Sequence, residues 1–144
     1  MLSTSSRRGP GTPRRLHDVL TESQLAFFDE PYFGIVTTLR ADGSAQSTVV
    51  WVERDGDSVS FNTAYGRTKP GNLERDPRVS VLVAAPDFYH WIAVDGRAEL
   101  TTDGAEDQID RLSRKYDGKP WGYVEGQRRV RVRVVPEHVT VYDV

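Results

Sequence analysis

From Tyr32 onward, apolar and polar side chains alternate in short β-rich runs, the period-two signature of half-buried strands. The run YFGIVTTLR, residues 32–40, leads into Ala41-Asp42-Gly43-Ser44, and Asp-Gly between two such runs is a strong hairpin signal. QSTVVWVER follows over residues 46–54, then a second turn at Asp55-Gly56, then SVSFN over 58–62. Three strands joined by tight turns predict an antiparallel meander. Further strands are predicted over 79–84 and over 89–101, the latter with a bulge or bend at Asp95-Gly96. RRVRVRVV and HVTVYDV read as two last strands around Pro136.

Helical spacing appears in three places. Thr21 with Gln24 fits a capping box, and Leu16, Val19, Leu20, Leu25 and Phe28 can face a core in a helix that should stop near Pro31. The segment AYGRTKPGNLERDP, residues 64–77, breaks the strand pattern and predicts one short helix around Asn72 to Asp76. Residues 103–116 carry the stripe Ile109, Leu112 and Tyr116 behind an acidic first turn that suits the helix dipole. Hairpin spacing without alternating βαβ units argues against a Rossmann fold. The prediction is a small antiparallel β-barrel of about seven strands, with two or three helices covering its openings.

At 144 residues the chain suits a single domain and excludes a TIM barrel or a two-domain dehydrogenase. The absence of cysteine excludes a disulfide scaffold, a cysteine nucleophile and a Cys-ligated metal or iron–sulfur centre. Residues 1–15 hold four Arg and no acid among Ser, Gly and Pro, and read as a flexible basic leader ahead of one domain over 16–144. Subtracting those four charges from the net −2 leaves −6 on the domain, so no broad basic surface for nucleic acid is expected. No apolar run reaches the roughly 20 residues a membrane helix needs, and no apolar segment follows the basic residues as in a signal peptide, so the cytoplasm is the expected compartment.

Hydrolytic motifs are missing. His17, His90 and His138 lie far apart in unrelated contexts, and no GxSxG, HExxH, GxGxxG or Walker pattern occurs. No metal site is expected, and no catalytic side chain is singled out. The segment Gly66-Arg67-Thr68-Lys69-Pro70-Gly71-Asn72 is more informative, because two cations, free backbone N–H groups and a helix start suit a phosphate. Pro70 fits the first helical position. The same segment also reads as a solvated loop whose cations pair with Glu74 or Asp76. In Arg128-Arg129-Val130-Arg131-Val132-Arg133-Val134, alternation puts the valines on one face and Arg129, Arg131 and Arg133 on the other. Most of these arginines read as a solvated face, with one free to reach an anion. Phe88, Tyr89 and Trp91, and Trp121 with Tyr123, are either core or the wall of a pocket for a flat ring.

Three segments together resemble the flavin/deazaflavin oxidoreductases with the split β-barrel of pyridoxamine 5′-phosphate oxidase, in the branch of coenzyme F420-dependent enzymes. They are Thr37 to Ser47 (TTLRADGSAQS), Gly66-Arg67-Thr68-Lys69 through Asn72-Leu73-Glu74-Arg75-Asp76-Pro77-Arg78-Val79-Ser80, and Arg128-Arg129-Val130 through Pro136-Glu137-His138-Val139. The resemblance runs from about Leu16 onward. It implies a homodimer with a cofactor, F420 or alternatively FMN, in each groove between subunits, and a small-molecule substrate. It implies that Arg67 and Lys69 bind the cofactor phosphate, with Asn72 close by. Gln46, Ser47 and Thr48 match the strand beside the ring, and Phe61, Asn62 and Thr63 match positions lining the groove. Tyr89 and Trp91 match aromatics lent by the partner subunit, and Arg128 or Arg129 matches a basic position that reaches the cofactor tail from the other chain. Pro70-Gly71 and Ala45 depart from the family pattern. The implied activity is hydride transfer to an organic acceptor, with solvent, Tyr89 or His90 as the proton source. A flavin oxidase or reductase on the same fold, or a carrier of a flavin, deazaflavin or tetrapyrrole, are the competing readings.

Overall fold

A computed structural model describes residues 20–144. The leader over 1–15 and the expected helix positions Leu16 and Val19 lie outside the described residues. The first helix, α1 (Glu22–Phe27), starts at the expected capping box: Gln24 N–H donates to Thr21 Oγ1, and the Thr21 N–H donates to Gln24 Oε1. Strands β1 (Gly34–Leu39) and β2 (Ala45–Val50) form the Asp-Gly hairpin. In its turn Gly43 takes φ +86°, and Asp42 Oδ1 accepts from the Ser44 N–H and hydroxyl. Strands β3 (Val52–Asp55) and β4 (Ser58–Ala64) form the second hairpin. Helix α2 (Thr68–Arg75), β5 (Arg78–Ala84), β6 (Trp91–Thr101), α3 (Ala105–Asp117) and β7 (Arg129–Tyr142) complete the chain.

The seven strands are antiparallel, in the order β2-β1-β5-β6-β7-β4-β3. The first strands do not form the expected three-stranded meander, because β2 and β3 do not pair. β2 and β3 are separated only by Trp51, yet they form opposite edges of the sheet. Neighbouring Cα atoms are about 3.8 Å apart, so the sheet must curl until its two edges meet at Trp51. The result is a mainly β split barrel, open along the β2/β3 seam. Gly34 accommodates the meeting point: a Cβ there would stand 2.8 Å from Val52 Cγ1.

Inward positions alternate as expected. Val79, Val81 and Val83 of β5, Ile92 and Val94 of β6, and Val130, Val132 and Val134 of β7 are buried in one core with Phe61. The last two expected strands are one continuous strand. Gly96 pairs with Pro136 while Asp95 pairs with His138, so Glu137 is an extra residue and the bulge absorbs the missing proline N–H.

Helix α3 is tied across the seam. The Tyr116 hydroxyl donates to the Tyr32 carbonyl at 2.6 Å and accepts from the Val52 N–H at 3.1 Å. Burial pushes its pKa up to about 12 from an ordinary value near 10, partly opposed by its hydrogen bond with Val52. The folded state therefore holds this proton more tightly than the unfolded chain, and its contribution is lost as pH rises from about 10 to 12. Tyr116→Phe should cost about 1–3 kcal/mol in urea unfolding at neutral pH. It should also remove part of the stability lost between those pH values, so an unchanged alkaline slope would speak against this role.

Candidate functional site

A pocket of about 340 Å³ opens where the seam, α2 and α3 meet. Its cations are Arg67, Lys69 and Arg129, and among the described residues no acidic side chain lines it. Its apolar wall includes Phe33, Trp51 and Trp121. Trp51 stacks on Tyr116 at 5.5 Å between ring centroids, and Trp121 meets Trp51 edge-on at 6.4 Å.

The cations are positioned by short-range chemistry. α2 starts at Arg67 with no side-chain cap, which leaves its first-turn N–H groups without a side-chain partner. Pro70 is the third helical residue rather than the first, and there too its missing N–H costs no helical bond. Lys69 Nζ donates to Thr48 Oγ1 at 3.1 Å, tying α2 to β2. Burial, with the nearby Arg67 charge, lowers the Lys69 pKa. Asp76, one of the acids the solvated-loop reading assigned to these cations, pairs with Arg78 instead. Glu74 is exposed, and among the described residues neither acid pairs with Arg67 or Lys69.

Arg129 differs from its neighbours on the same face of β7. Arg131 pairs with Asp55 at 3.0 Å, and Arg133 binds Asp57 and Glu99. Arg129 is 5% exposed and has no acidic partner among the described residues. Its Nε donates to Asn62 Oδ1 at 2.8 Å, its guanidinium lies 5.1 Å from the Trp121 ring centroid, and its Nη1 is buried with no hydrogen-bond partner among the described residues. Burial, then the Arg67 charge, lowers its pKa, while Glu106 opposes. An orphaned, buried guanidinium N–H is costly unless an anion completes it. The residues therefore fit a phosphate-bearing group: Arg129 Nη1, Lys69 and Arg67 can bind it, as can the N-terminal N–H groups of α2.

The other expected site residues are distributed differently. Asn72 is buried, and its amide is fully engaged: Nδ2 donates to Thr38 Oγ1 and Gln46 Oε1, while Oδ1 accepts from Arg75. Asn72 and Gln46 therefore lock α2 onto the first hairpin. Ser47 points outward and shares a hydrogen bond with Thr37. Phe61 and Thr63 are fully buried on the core side of β4, away from the pocket, and Thr63 Oγ1 has no partner among the described residues. Arg128 is exposed over the Tyr65 ring rather than in the pocket. Trp91 lies on the opposite, outward face of the sheet, and Tyr89 is in the exposed loop before it. His90 bridges Asp87 and Asp143, outside the cationic pocket. Trp51 and Trp121 complete the wall. Of these two, only Trp121 stands out as a pocket candidate in the sequence, because Trp51 sits inside an uninterrupted β-rich run.

A curled, seven-stranded antiparallel sheet with a cationic pocket at its seam defines the split-barrel class. Residues 20–142 match the family described as pyridoxamine 5′-phosphate oxidase, and the chain belongs to that family. Among solved structures, an F420 reductase is 26% identical, with a TM-score of 0.72, covering 84% of this chain and 98% of its own. A conserved hypothetical protein from Mycobacterium tuberculosis is 23% identical with a TM-score of 0.67, covering 90% and 89%. General Stress Protein 26 from Bacillus anthracis is 19% identical with a TM-score of 0.66, covering 82% and 89%. The last two are likenesses of fold.

Proposed function

We propose that the chain is an F420-dependent oxidoreductase that binds the cofactor phosphate at Arg67, Lys69 and Arg129. The carrying observation is the buried Arg129 Nη1, without a partner among the described residues, in a pocket that three of their cations and none of their acids line. The likeness to an F420 reductase favours the deazaflavin over FMN. When bound, such a cofactor supplies hydride chemistry, which is why no side-chain nucleophile is needed. The protein's share is binding, orientation and exclusion of water. Lys69 and Arg129 neutralise phosphate charge, Thr48 and Asn62 hold those two cations, and Trp51 and Trp121 shield the pocket from solvent.

The proposal includes a homodimer. The outward sheet face carries Ile35, Leu82, Ala84, Phe88, Trp91 and Ala93 around a shallow groove of about 640 Å³. Phe88 is 74% exposed, at φ +62°, and a contiguous apolar face of this kind suits burial against a second copy. The substrate is proposed to be a small organic acceptor.

Purified protein titrated separately with F420 and FMN tests the cofactor assignment. Tight F420 binding with reduced-F420 turnover against an acceptor panel is expected. FMN binding alone makes the protein a flavin enzyme, and binding of either without hydride transfer makes it a carrier. Lys69→Ala should weaken the bound cofactor by roughly 1–3 kcal/mol, the worth of a charge-assisted contact. Because burial and Arg67 lower the Lys69 pKa, affinity should fall with rising pH below the ordinary lysine range. Lys69→Arg should move that fall to higher pH, and an identical profile in both proteins would remove Lys69 from the contact.

A further inference from the structure

We infer that Gln108, fully buried on α3, is a positioning residue for the Arg129 guanidinium. It acts through a hydrogen-bonded chain running from Glu53 to the pocket. The inference rests on the phosphate reading of that pocket. Gln108 Nε2 donates to Glu53 Oε2 at 3.1 Å and to Ser60 Oγ at 2.7 Å. Gln108 Oε1 accepts from Asn62 Nδ2 at 2.9 Å. Asn62 Oδ1 in turn accepts from Arg129 Nε at 2.8 Å. Asn62 Nδ2 also donates to the Ala105 carbonyl at 2.8 Å, so the first turn of α3 grips that amide at two points.

The direction of every bond is set by the ends of the chain. A carboxylate only accepts, so Glu53 compels Gln108 to present its NH2 group. Gln108 must then present its carbonyl oxygen to Asn62, whose NH2 turns toward α3. The Asn62 oxygen is left facing Arg129, which only donates. Glu53 is itself held by Arg111, with Nη2 to Oε2 at 2.9 Å and Nε to Oε1 at 3.2 Å. With Nε engaged and Trp121 against the guanidinium, Arg129 is fixed with Nη1 unsatisfied. Side chains on three strands and one helix thus converge on one orientation, the kind of preorganisation that lowers the cost of binding.

The test is a double-mutant cycle, with Kd for F420 and for FMN measured on the full chain. Gln108→Met keeps the side-chain volume and removes both ends of the amide. In the otherwise unchanged protein it should weaken whichever cofactor binds by about tenfold, the worth of one hydrogen bond. In an Arg129→Met background it should change affinity by no more than about twofold, the usual error of such cycles. A merely structural Gln108 would lower affinity equally in both backgrounds, which overturns the inference. Unchanged affinity in Gln108→Met overturns it too. If Gln108→Met does not fold, Glu53→Gln tests the same chain: it keeps the shape, removes the acceptor-only end and should show the same dependence on Arg129. Should Lys69→Ala weaken binding while Arg129→Met does not, the positioning role fails and the phosphate pocket stands. Should the unchanged protein bind neither F420 nor FMN, both fail together.

Discussion

Arg129→Met should weaken cofactor binding by about 1.5–3 kcal/mol, roughly 10- to 150-fold in Kd, without lowering the melting temperature. The affinity loss follows from the unpartnered Nη1, which is free for an anion while Nε is held by Asn62. The stability result follows from the same burial. Folding takes Arg129 to 5% exposure with no acid paired to it among the described residues, and the repulsion from Arg67 is only partly opposed by Glu106. Methionine removes that buried charge and keeps most of the apolar volume. The lost bond to Asn62 costs about 1 kcal/mol, and relief of the unpaired charge offsets at least that much. Isothermal titration and thermal unfolding check the two halves. Equal losses of affinity and stability would mean that Arg129 is a structural residue.

Gly96→Ala should destabilise the fold by about 3 kcal/mol or more, beyond the usual range for an overpacked core. A Cβ at Gly96 would stand 1.9 Å from the Val135 carbonyl oxygen and 2.9 Å from its carbon. Both are backbone atoms, so no rotamer change relieves the contact, and β6 and β7 must part at the bulge. That ladder is the longest in the sheet, and its strand β7 runs on past it to Arg129, which pairs with Ala64 of β4. Gly71→Ala is the matched comparison. Gly71 lies inside α2, and an added Cβ would meet none of the described atoms within 4 Å beyond its chain neighbours and its own helix backbone, so alanine there should add about 0.4–1 kcal/mol of stability. Urea unfolding of both variants separates them, and similar midpoints would contradict the packing described at the bulge.

The strands and helices were largely readable because a period of two or 3.6 is written in adjacent residues. What was not readable depends on pairings distant in sequence. QSTVVWVER contains no turn residue, so nothing local marks Trp51 as the point where the chain crosses from one sheet edge to the other. Pro136 looks like a strand end, and only its pairing with Gly96 across the sheet shows a bulge instead. The Arg67 and Lys69 pair was visible, because both cations sit beside a helix start. Arg129 could not be told from Arg131 and Arg133 by pattern, since the acids that occupy the latter two come from β3, the following turn and β6. Phe61 and Thr63 flank Asn62 in sequence, but strand alternation sends them into the core while Asn62 faces α3. Gln108 carried no signal at all: a single amide beside Ile109 reads as an ordinary helix residue until Glu53, Ser60 and Asn62 are brought around it.

If this pocket holds the phosphate of a flavin-like cofactor, a crystal structure of the protein grown with F420 shows it most directly. The phosphate should lie at charge-assisted hydrogen-bond distance, about 2.7–2.9 Å, from both Arg129 Nη1 and Lys69 Nζ, near the start of α2. A cofactor phosphate bound elsewhere on the barrel, with Arg129 Nη1 still unpartnered, would show that this pocket is not the phosphate site.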